Sequence, residues 1–313
     1  MSAPELSIIV PVKDEEAAIE PCVERLGAAL AATDVASFEI LFVDDGSTDR
    51  TLDVIRRLNL SDARVRAISL SRNFGKEAAL SAGLDHARGR AVVPLDVDLQ
   101  DPPEVLPAMV AKWREGHEIV YGVRDNRATD SLPKRLTADL YYRAHNLLTR
   151  DKIPEHAGDF RLLDRKVVDV IRAMPERNRF MKGLFAWAGF KQSSVSYTRA
   201  AREVGETKFN YWKLWTFALD GITSASTVPL RVWSYVGGLV ALFALAYAIF
   251  VVIRTLLFGV DTPGYASLMV AILFLGGLQL LSLGILGEYV GRIFTETKGR
   301  PIYVVREMIG DQE

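Results

Sequence analysis

The run "FEILFVDDGSTDRTLDVIRRLNL", residues 38–60, decides the fold class. Its first part, "FEILFVDD" (38–45), is a short apolar run ending in two acids, the pattern of a strand buried on both faces. Gly46 permits a tight turn, and Ser47 or Thr48 is placed to cap a helix that starts near Asp49 and runs to Leu60. Similar units flank it. "LSIIVPV" (6–12), "VRAISLS" (65–71), "AVVPLDVD" (91–98) and "EIVYGVR" (118–124) read as strands, while Glu15–Thr33, Gly75–Ala87 and Pro103–Glu115 carry apolar residues at helical spacing. Strands alternating with helices imply right-handed crossovers and an α/β, mostly parallel sheet covered on both faces. Ligands bind such sheets beyond the carboxyl ends of the strands. "VDDGSTD" and "DVDLQD" stand at those ends.

The second acidic segment gathers Asp96, Asp98, Asp101 and Glu104 within "VPLDVDLQDPPE" (93–104). Asp101 before two prolines makes a good helix start, and Glu104 suits the positive end of that helix, so turn and cap chemistry explains both. Asp96 and Asp98 remain. Alternation along a strand points them to one face, where two carboxylates can hold a hard cation such as Mg²⁺ or Mn²⁺ together with phosphates. Asp44, on the last residue of its strand, is placed to accept from a base N–H or a sugar hydroxyl. For Asp45 and Ser47, turn chemistry is the favoured reading.

Bulk properties narrow the classes. Lys+Arg 38 against Asp+Glu 39 gives a formal net charge of -1, so no overall field recruits nucleic acid. One cysteine, Cys22, excludes an intramolecular disulfide and a Cys-based zinc site, and the four histidines are scattered. The opening "MSAPELSIIVPV" lacks the pattern of a cleavable leader.

Composition shifts near residue 230. The run 232–253 is about 22 residues without a charge, and a second charge-free run fills Asp261 to Glu288, against the roughly 20 residues a bilayer span needs. The alternative is a pair of buried core helices. Gly237, Gly238, Gly276, Gly277 and Gly284 would let two spans approach closely. Lys208, Lys213 and Arg231 before the first run, and Arg292, Lys298, Arg300 and Arg306 after the second, place both flanks in the cytoplasm. "NYWKLWTFALDGI" (210–222) puts Tyr211, Trp215, Ala218 and Ile222 on one helical face, which suits a helix in the headgroup layer or one docked on the soluble domain. "RPIYVVRE" (300–307) reads as a short strand that pairs with its own domain or with a neighbouring subunit.

"SIIVPVKDEEAAI", "EILFVDDGSTDRT", "SLSRNFGKEAAL", "PLDVDLQDPPE" and "AGDFRLLDR" occur in the order and spacing of family 2 glycosyltransferases. The chain resembles the polyprenyl-phosphate branch of that family, the bactoprenol glucosyltransferases and dolichyl-phosphate mannose synthases, over about residues 5–215. The resemblance implies a GT-A, Rossmann-like catalytic domain (1–205) and a juxtamembrane helical segment (206–231). Two transmembrane helices within 232–290 (about 232–253 and 264–287) and a cytoplasmic tail with a short strand (291–313) would follow. It implies transfer of a hexose, glucose favoured, from a nucleotide diphosphate sugar, UDP favoured, to a polyprenyl phosphate. The reaction would use Mg²⁺ or Mn²⁺ and invert the anomeric centre at the cytoplasmic face of the inner membrane, with a homotetramer as the expected assembly.

Carried across by motif, Pro11, Val12 and Glu15 line the nucleotide pocket and Asp44 holds the base. Asp96, Asp98 and Gln100 serve the metal, diphosphate and sugar, with Asp98 the direct ligand. Lys13-Asp14 stands where the family often has Tyr-Asn, and Lys76 where many members have His, adding a cation near the diphosphate. Arg124 and Arg135 match positions that bind the acceptor phosphate, which guanidinium meets bidentately. Arg202 and Lys208, in "AREVGETK", match an element that receives a lipid or donor phosphate; anionic headgroups alone would also account for them. Asp159 occupies the place of the catalytic base, and orienting the acceptor or stabilising the oxocarbenium-like sugar is its expected role. Two rivals remain. A membrane polysaccharide synthase carries a Q-x-x-R-W element, which is missing from this sequence, and a non-catalytic adaptor for nucleotide sugars or lipid phosphates has no need of intact acids.

Overall fold

In the computed structural model, which describes residues 3–124, 157–177, 179–198, 228–258 and 264–310, the chain divides into two units. One is Met1–Trp215 with Arg300–Glu313, the other Thr216–Gly299. Among the described residues the first unit holds β1 (Leu6–Val12), β2 (Phe38–Asp44), β3 (Val65–Leu70), β4 (Ala91–Pro94), β5 (Ile119–Arg124), β6 (Ala157–Asp164), β7 (Gln192–Tyr197) and β8 (Val305–Ile309). They form one sheet in the order β7-β5-β6-β4-β1-β2-β3-β8. β1 pairs in parallel with β2 and β4, as do β2 with β3 and β5 with β7. β6 runs antiparallel to both β4 and β5, and β8 antiparallel to β3. The sheet is therefore mixed, parallel around β1 and reversed where β6 and β8 enter.

Helices cover both faces because the strands are apolar on both. Leu6, Ile8, Val10, Ile40 and Phe42 pack with α1 (Ile19–Ala31), α2 (Thr51–Ser61) and, beyond α3 (Lys76–His86), α4 (Leu106–Arg114). Ile9, Leu41, Val43 and Ile68 face the other way, onto α3, α5 (Arg165–Ala173) and α6 (Met181–Trp187). The period-two alternation of β1 and β2 thus separates two cores.

Three local expectations are corrected. β4 stops at Pro94 rather than Asp98, because residues 96–99 close a turn in which Leu99 N–H donates to the Asp96 carbonyl at 3.1 Å and Leu99 takes φ 45°. α2 is not capped by Ser47 or Thr48; Asp49 Oδ1 accepts from Thr51 N–H at 3.0 Å. Asp101 is not the cap before α4 either. Its buried carboxylate accepts from the Tyr197 hydroxyl on β7, and Glu104 is gripped by Arg25 at 2.8 and 3.1 Å, which holds its carboxyl below the usual range.

The tail strand β8 pairs with its own chain, covering the β3 edge that would otherwise offer unpaired backbone groups. Tyr303 Oη donates to Asp85 on α3 at 2.7 Å, Ser71 N–H donates to the Val304 carbonyl at 2.9 Å, and Arg56 clasps Glu307 at 2.7 and 2.8 Å.

The second unit holds α7 (Val228–Phe258) and α8 (Tyr265–Lys298), which contain most of the two expected spans. Among the described residues one stretch, Phe274–Lys298, is long and apolar enough to cross a membrane, with mean hydropathy 1.3; Tyr235–Ala244 in α7 is apolar over a shorter length. None of the α8 window is buried within the chain, which speaks against a buried core helix for that segment. Among the described residues, a Cβ at Gly237, Gly238, Gly276, Gly277 or Gly284 would meet no atom within 4 Å. The aromatic stretch 210–222 lies outside the described residues.

Candidate active site

Four segments at the carboxyl ends of β1, β2, β3 and β4 shape a cleft of about 390 Å³. The β1 loop presents Pro11, Val12, Lys13 and Glu15; the β2 side presents Asp45; the segment after β3 presents Asn73, Gly75 and Lys76; the β4 turn presents Asp96, Val97 and Asp98. The first two loops are zipped together. Asp14 N–H donates to Ser47 Oγ at 2.9 Å, Thr48 N–H to Asp14 Oδ1 at 2.7 Å, and Glu15 N–H to Thr51 Oγ1 at 2.9 Å. Asp14 takes φ 54°, a conformation that Asp and Asn tolerate better than other side chains.

Asp44 lies behind the wall. It is buried, with Oδ1 accepting from Ser47 N–H at 3.0 Å and Oδ2 from Ser69 Oγ at 2.9 Å. Asp45, read from the sequence as turn chemistry, is the residue that reaches the cleft. Its carboxylate accepts from Phe74 N–H at 2.7 Å and Gly75 N–H at 2.9 Å, tying the β2 turn to the loop that delivers Lys76. Gly46 makes this possible. It has φ 70°, and a Cβ there would stand 2.6 Å from Arg72 C and 2.7 Å from Asn73 N, backbone atoms that cannot swing aside. Gly46→Ala should cost about 2–4 kcal/mol through strain plus overpacking, read as a lower thermal midpoint together with weaker nucleotide binding.

Asp96 and Asp98 reach the cleft by a turn rather than a strand. Leu95, Val97 and Leu99 are buried and anchor the turn from below, leaving the two acids between them to face outward. Gln100 is buried beneath, its N–H donating to Asp98 Oδ1 at 3.2 Å, and does not line the cleft. The Lys76 ammonium sits on Asp96, 2.7 Å from Oδ1 and 2.9 Å from Oδ2. Two hard oxygen donor groups beside an open cleft fit Mg²⁺ or Mn²⁺, which take one or two carboxylates and complete their shell with phosphates and water. The ammonium held on Asp96 shows that the position draws a cation. Among the described residues no cluster of three or more His, Cys, Asp or Glu is placed to hold a metal ion.

β5 ends at Arg124 and β6 begins at Ala157, so the backbones of Arg124 and Asp159 lie at the same sheet edge as the acidic turn. Their side chains, and all of Arg135, Arg202 and Lys208, lie outside the described residues. The structure thus brings Pro11, Val12, Glu15, Lys76, Asp96 and Asp98 together. It adds Lys13, Asp45 and Asn73, of which the "RNFGK" and "VDDGS" motifs were the available signal.

Glycosyl transferase family 2 matches residues 7–172, and GtrB C-terminal hairpin matches residues 228–293. The bactoprenol glucosyl transferase of Shigella phage SfII is 50% identical over 302 residues, covering 96% of this chain and 97% of that protein. The prophage bactoprenol glucosyl transferase homolog of Escherichia coli (strain K12) is 49% identical over 303 residues, covering 97% and 99%. In fold, the chain is similar to glucosyl-3-phosphoglycerate synthase from Mycobacterium tuberculosis in complex with Mn²⁺, uridine-diphosphate and phosphoglyceric acid, at TM-score 0.50 and 19% identity, covering 70% of this chain and 76% of that one. The family match spans β1 through β6 with the acidic turn at the ligand edge of the sheet, and the chain belongs to glycosyltransferase family 2.

Proposed function

We propose that this protein transfers glucose from UDP-glucose to the phosphate of a polyprenyl phosphate, at the cytoplasmic face of the membrane, with inversion. The observation that carries this is the identity of about 50% over nearly the whole chain to proteins named bactoprenol glucosyl transferase. The cleft supports it: Lys13 and Lys76 stand with Glu15, Asp45, Asp96 and Asp98 around a space of about 390 Å³.

Pro11, Val12 and Glu15 wall the nucleotide. Asp44, expected to hold the base, acts from behind the wall, where its bonds to Ser47 N–H and Ser69 Oγ set the β2 turn that presents Asp45 to the nucleotide. Asp98, with Asp96, holds Mg²⁺ or Mn²⁺, and Gln100 steadies Asp98 from below. When bound, the cation supplies Lewis-acid stabilisation of the charge that builds on the departing diphosphate. Arg124 and Arg135 fix the acceptor phosphate bidentately, Arg202 and Lys208 meet phosphate at the membrane side, and Asp159 orients the acceptor oxygen. The acceptor is already anionic, so it needs little help from a base. In-line attack then converts an α-linked donor into a β-linked lipid phosphate.

A catalytic domain (1–205), a juxtamembrane segment (206–231), two spans within 232–290 and a tail (291–313) complete the proposal, with both termini cytoplasmic and four copies in the assembly. The apolar helix in α8 and the match to the C-terminal hairpin family support membrane insertion. A polyprenyl chain resists extraction at roughly 0.8 kcal/mol per buried CH₂, so the enzyme must meet its acceptor at the bilayer.

The test incubates the purified full-length protein with undecaprenyl phosphate, Mg²⁺ and a panel of labelled nucleotide sugars. Label from UDP-glucose should enter the organic phase as a β-linked product. Aqueous polymer would instead indicate a polysaccharide synthase, and no turnover on any donor an adaptor. An α-linked product would eliminate single displacement.

A further inference from the structure

We propose that Lys76 is a built-in counter-cation for Asp96, which makes the cleft a poor site for a lone divalent ion and couples loading of the metal to arrival of the nucleotide diphosphate. The inference deepens the donor-site reading above and rests on it.

The Lys76 ammonium lies nearly midway between the two oxygens of Asp96, at 2.7 and 2.9 Å. Asp96 is one of the two cleft acids that would hold a divalent ion, so the ammonium and the ion would compete for the same carboxylate. Local structure does not favour a cation here. Lys76 is the first residue of α3, at the positive end of the helix dipole, where a basic side chain is destabilising. The helix start is held instead by Gly75, at φ 97°, and by Asp45, which accepts from Phe74 and Gly75 N–H. Lys76 is therefore brought to Asp96, against the dipole, by a loop that Asp45 holds through Phe74 and Gly75 N–H.

Two consequences follow from charge alone. A divalent ion entering the empty cleft must displace the ammonium from Asp96 or tolerate it at close range, and either weakens binding. A diphosphate entering the same cleft offers the ammonium a better partner, since Lys binds phosphate well as a point charge. Asp96 is then released to the metal. The flexible stem of lysine, half-exposed here, allows this exchange without moving the backbone. By linkage, whatever factor the nucleotide adds to metal affinity the metal adds to nucleotide affinity.

Lys76→Met keeps length and removes charge, so it should act in opposite directions on the two ligands. Mn²⁺ binding to the full-length protein without nucleotide, read from the spin-resonance signal of free Mn²⁺, should tighten about tenfold, the lower end of the effect of one nearby like charge. UDP binding in EDTA, read by calorimetry, should weaken about tenfold by the same reasoning. Lys76→Arg should leave Mn²⁺ binding weak, and Lys76→Gln should repeat the Met result if Met perturbs folding. Circular dichroism and the thermal midpoint verify that each variant is folded. Unchanged or weaker Mn²⁺ binding in both neutral variants, with UDP and Mn²⁺ still binding the parent protein, would overturn the inference and leave the donor site standing. A folded parent protein that binds neither UDP nor Mn²⁺ would overturn the donor-site reading, and this inference with it.

Discussion

Asp98→Ala should lower kcat by about 10³-fold or more, in line with losing an electrostatic group aimed at transition-state charge, while the thermal midpoint stays within a degree or two of the parent. The two halves of the expectation have separate causes. Asp98 is exposed at the cleft, where a smaller side chain opens no core cavity, and its removal relieves repulsion from Asp96. Its carboxylate is also, with that of Asp96, one of the two acids that the β4 turn presents to the cleft. Transfer to undecaprenyl phosphate, measured alongside Mn²⁺ binding, should fall with the loss of metal affinity. Asp98→Asn should fail nearly as badly, since an amide oxygen is a weaker ligand for a hard cation. Full activity in either variant would remove the metal assignment.

Glu39→Ala should destabilise the first unit by about 3–5 kcal/mol, the usual cost of removing one partner of a buried ion pair. Glu39 and Arg66 are 5% exposed each and pair through Oε2 and Nη1 on neighbouring strands β2 and β3. Glu39 Oε1 also accepts from Ser7 Oγ and from Arg88 N–H at 2.7 Å, and Ser7 Oγ accepts from Gly89 N–H at 2.7 Å. One carboxylate thus links β1, β2, β3 and the loop after α3 at the end of the sheet opposite the cleft. Truncation takes the carboxylate away from a buried guanidinium and a backbone donor together. Against a typical domain stability of about 5–15 kcal/mol, that loss leaves a large unfolded fraction in mild denaturant. Glu104→Ala is the control, because its pair with Arg25 is open to solvent and worth about 1 kcal/mol or less. Equal urea midpoints for the two variants would refute the distinction between buried and exposed pairs drawn here.

The Glu39 network shows one kind of feature that escapes sequence reading. A lone acid at the head of "FEILFVDD" looks like the polar edge of a strand, and its arginine partner is 27 residues away. Nothing local joins them; parallel pairing of β2 with β3 does. Asp44 and Asp45 show another. Both acids were legible as residues of a ligand-edge turn, yet which of them faces the cleft depends on the path of the loop after β3, which supplies the Phe74 and Gly75 N–H groups that draw Asp45 across. Asp96 and Asp98 show the reverse case. The strand was expected to carry them and stops two residues short of Asp96, but burial of Leu95, Val97 and Leu99 preserves the alternation and the acids still reach the crevice.

Hydrophobic period and turn chemistry are properties of neighbours along the chain. They were sufficient for the alternating strands and helices, for the sheet edge where ligands bind, for the acids gathered there, and for the change to apolar helices after residue 230. The strand reversals at β6 and β8, the docking of the tail on β3 rather than on another subunit, the choice of Asp45 over Asp44 and the capture of Asp96 by Lys76 were not readable in this way. Each depends on groups far apart in sequence meeting across the sheet. Backbone pairing and charge compensation act through space, and only the folded chain sets those distances.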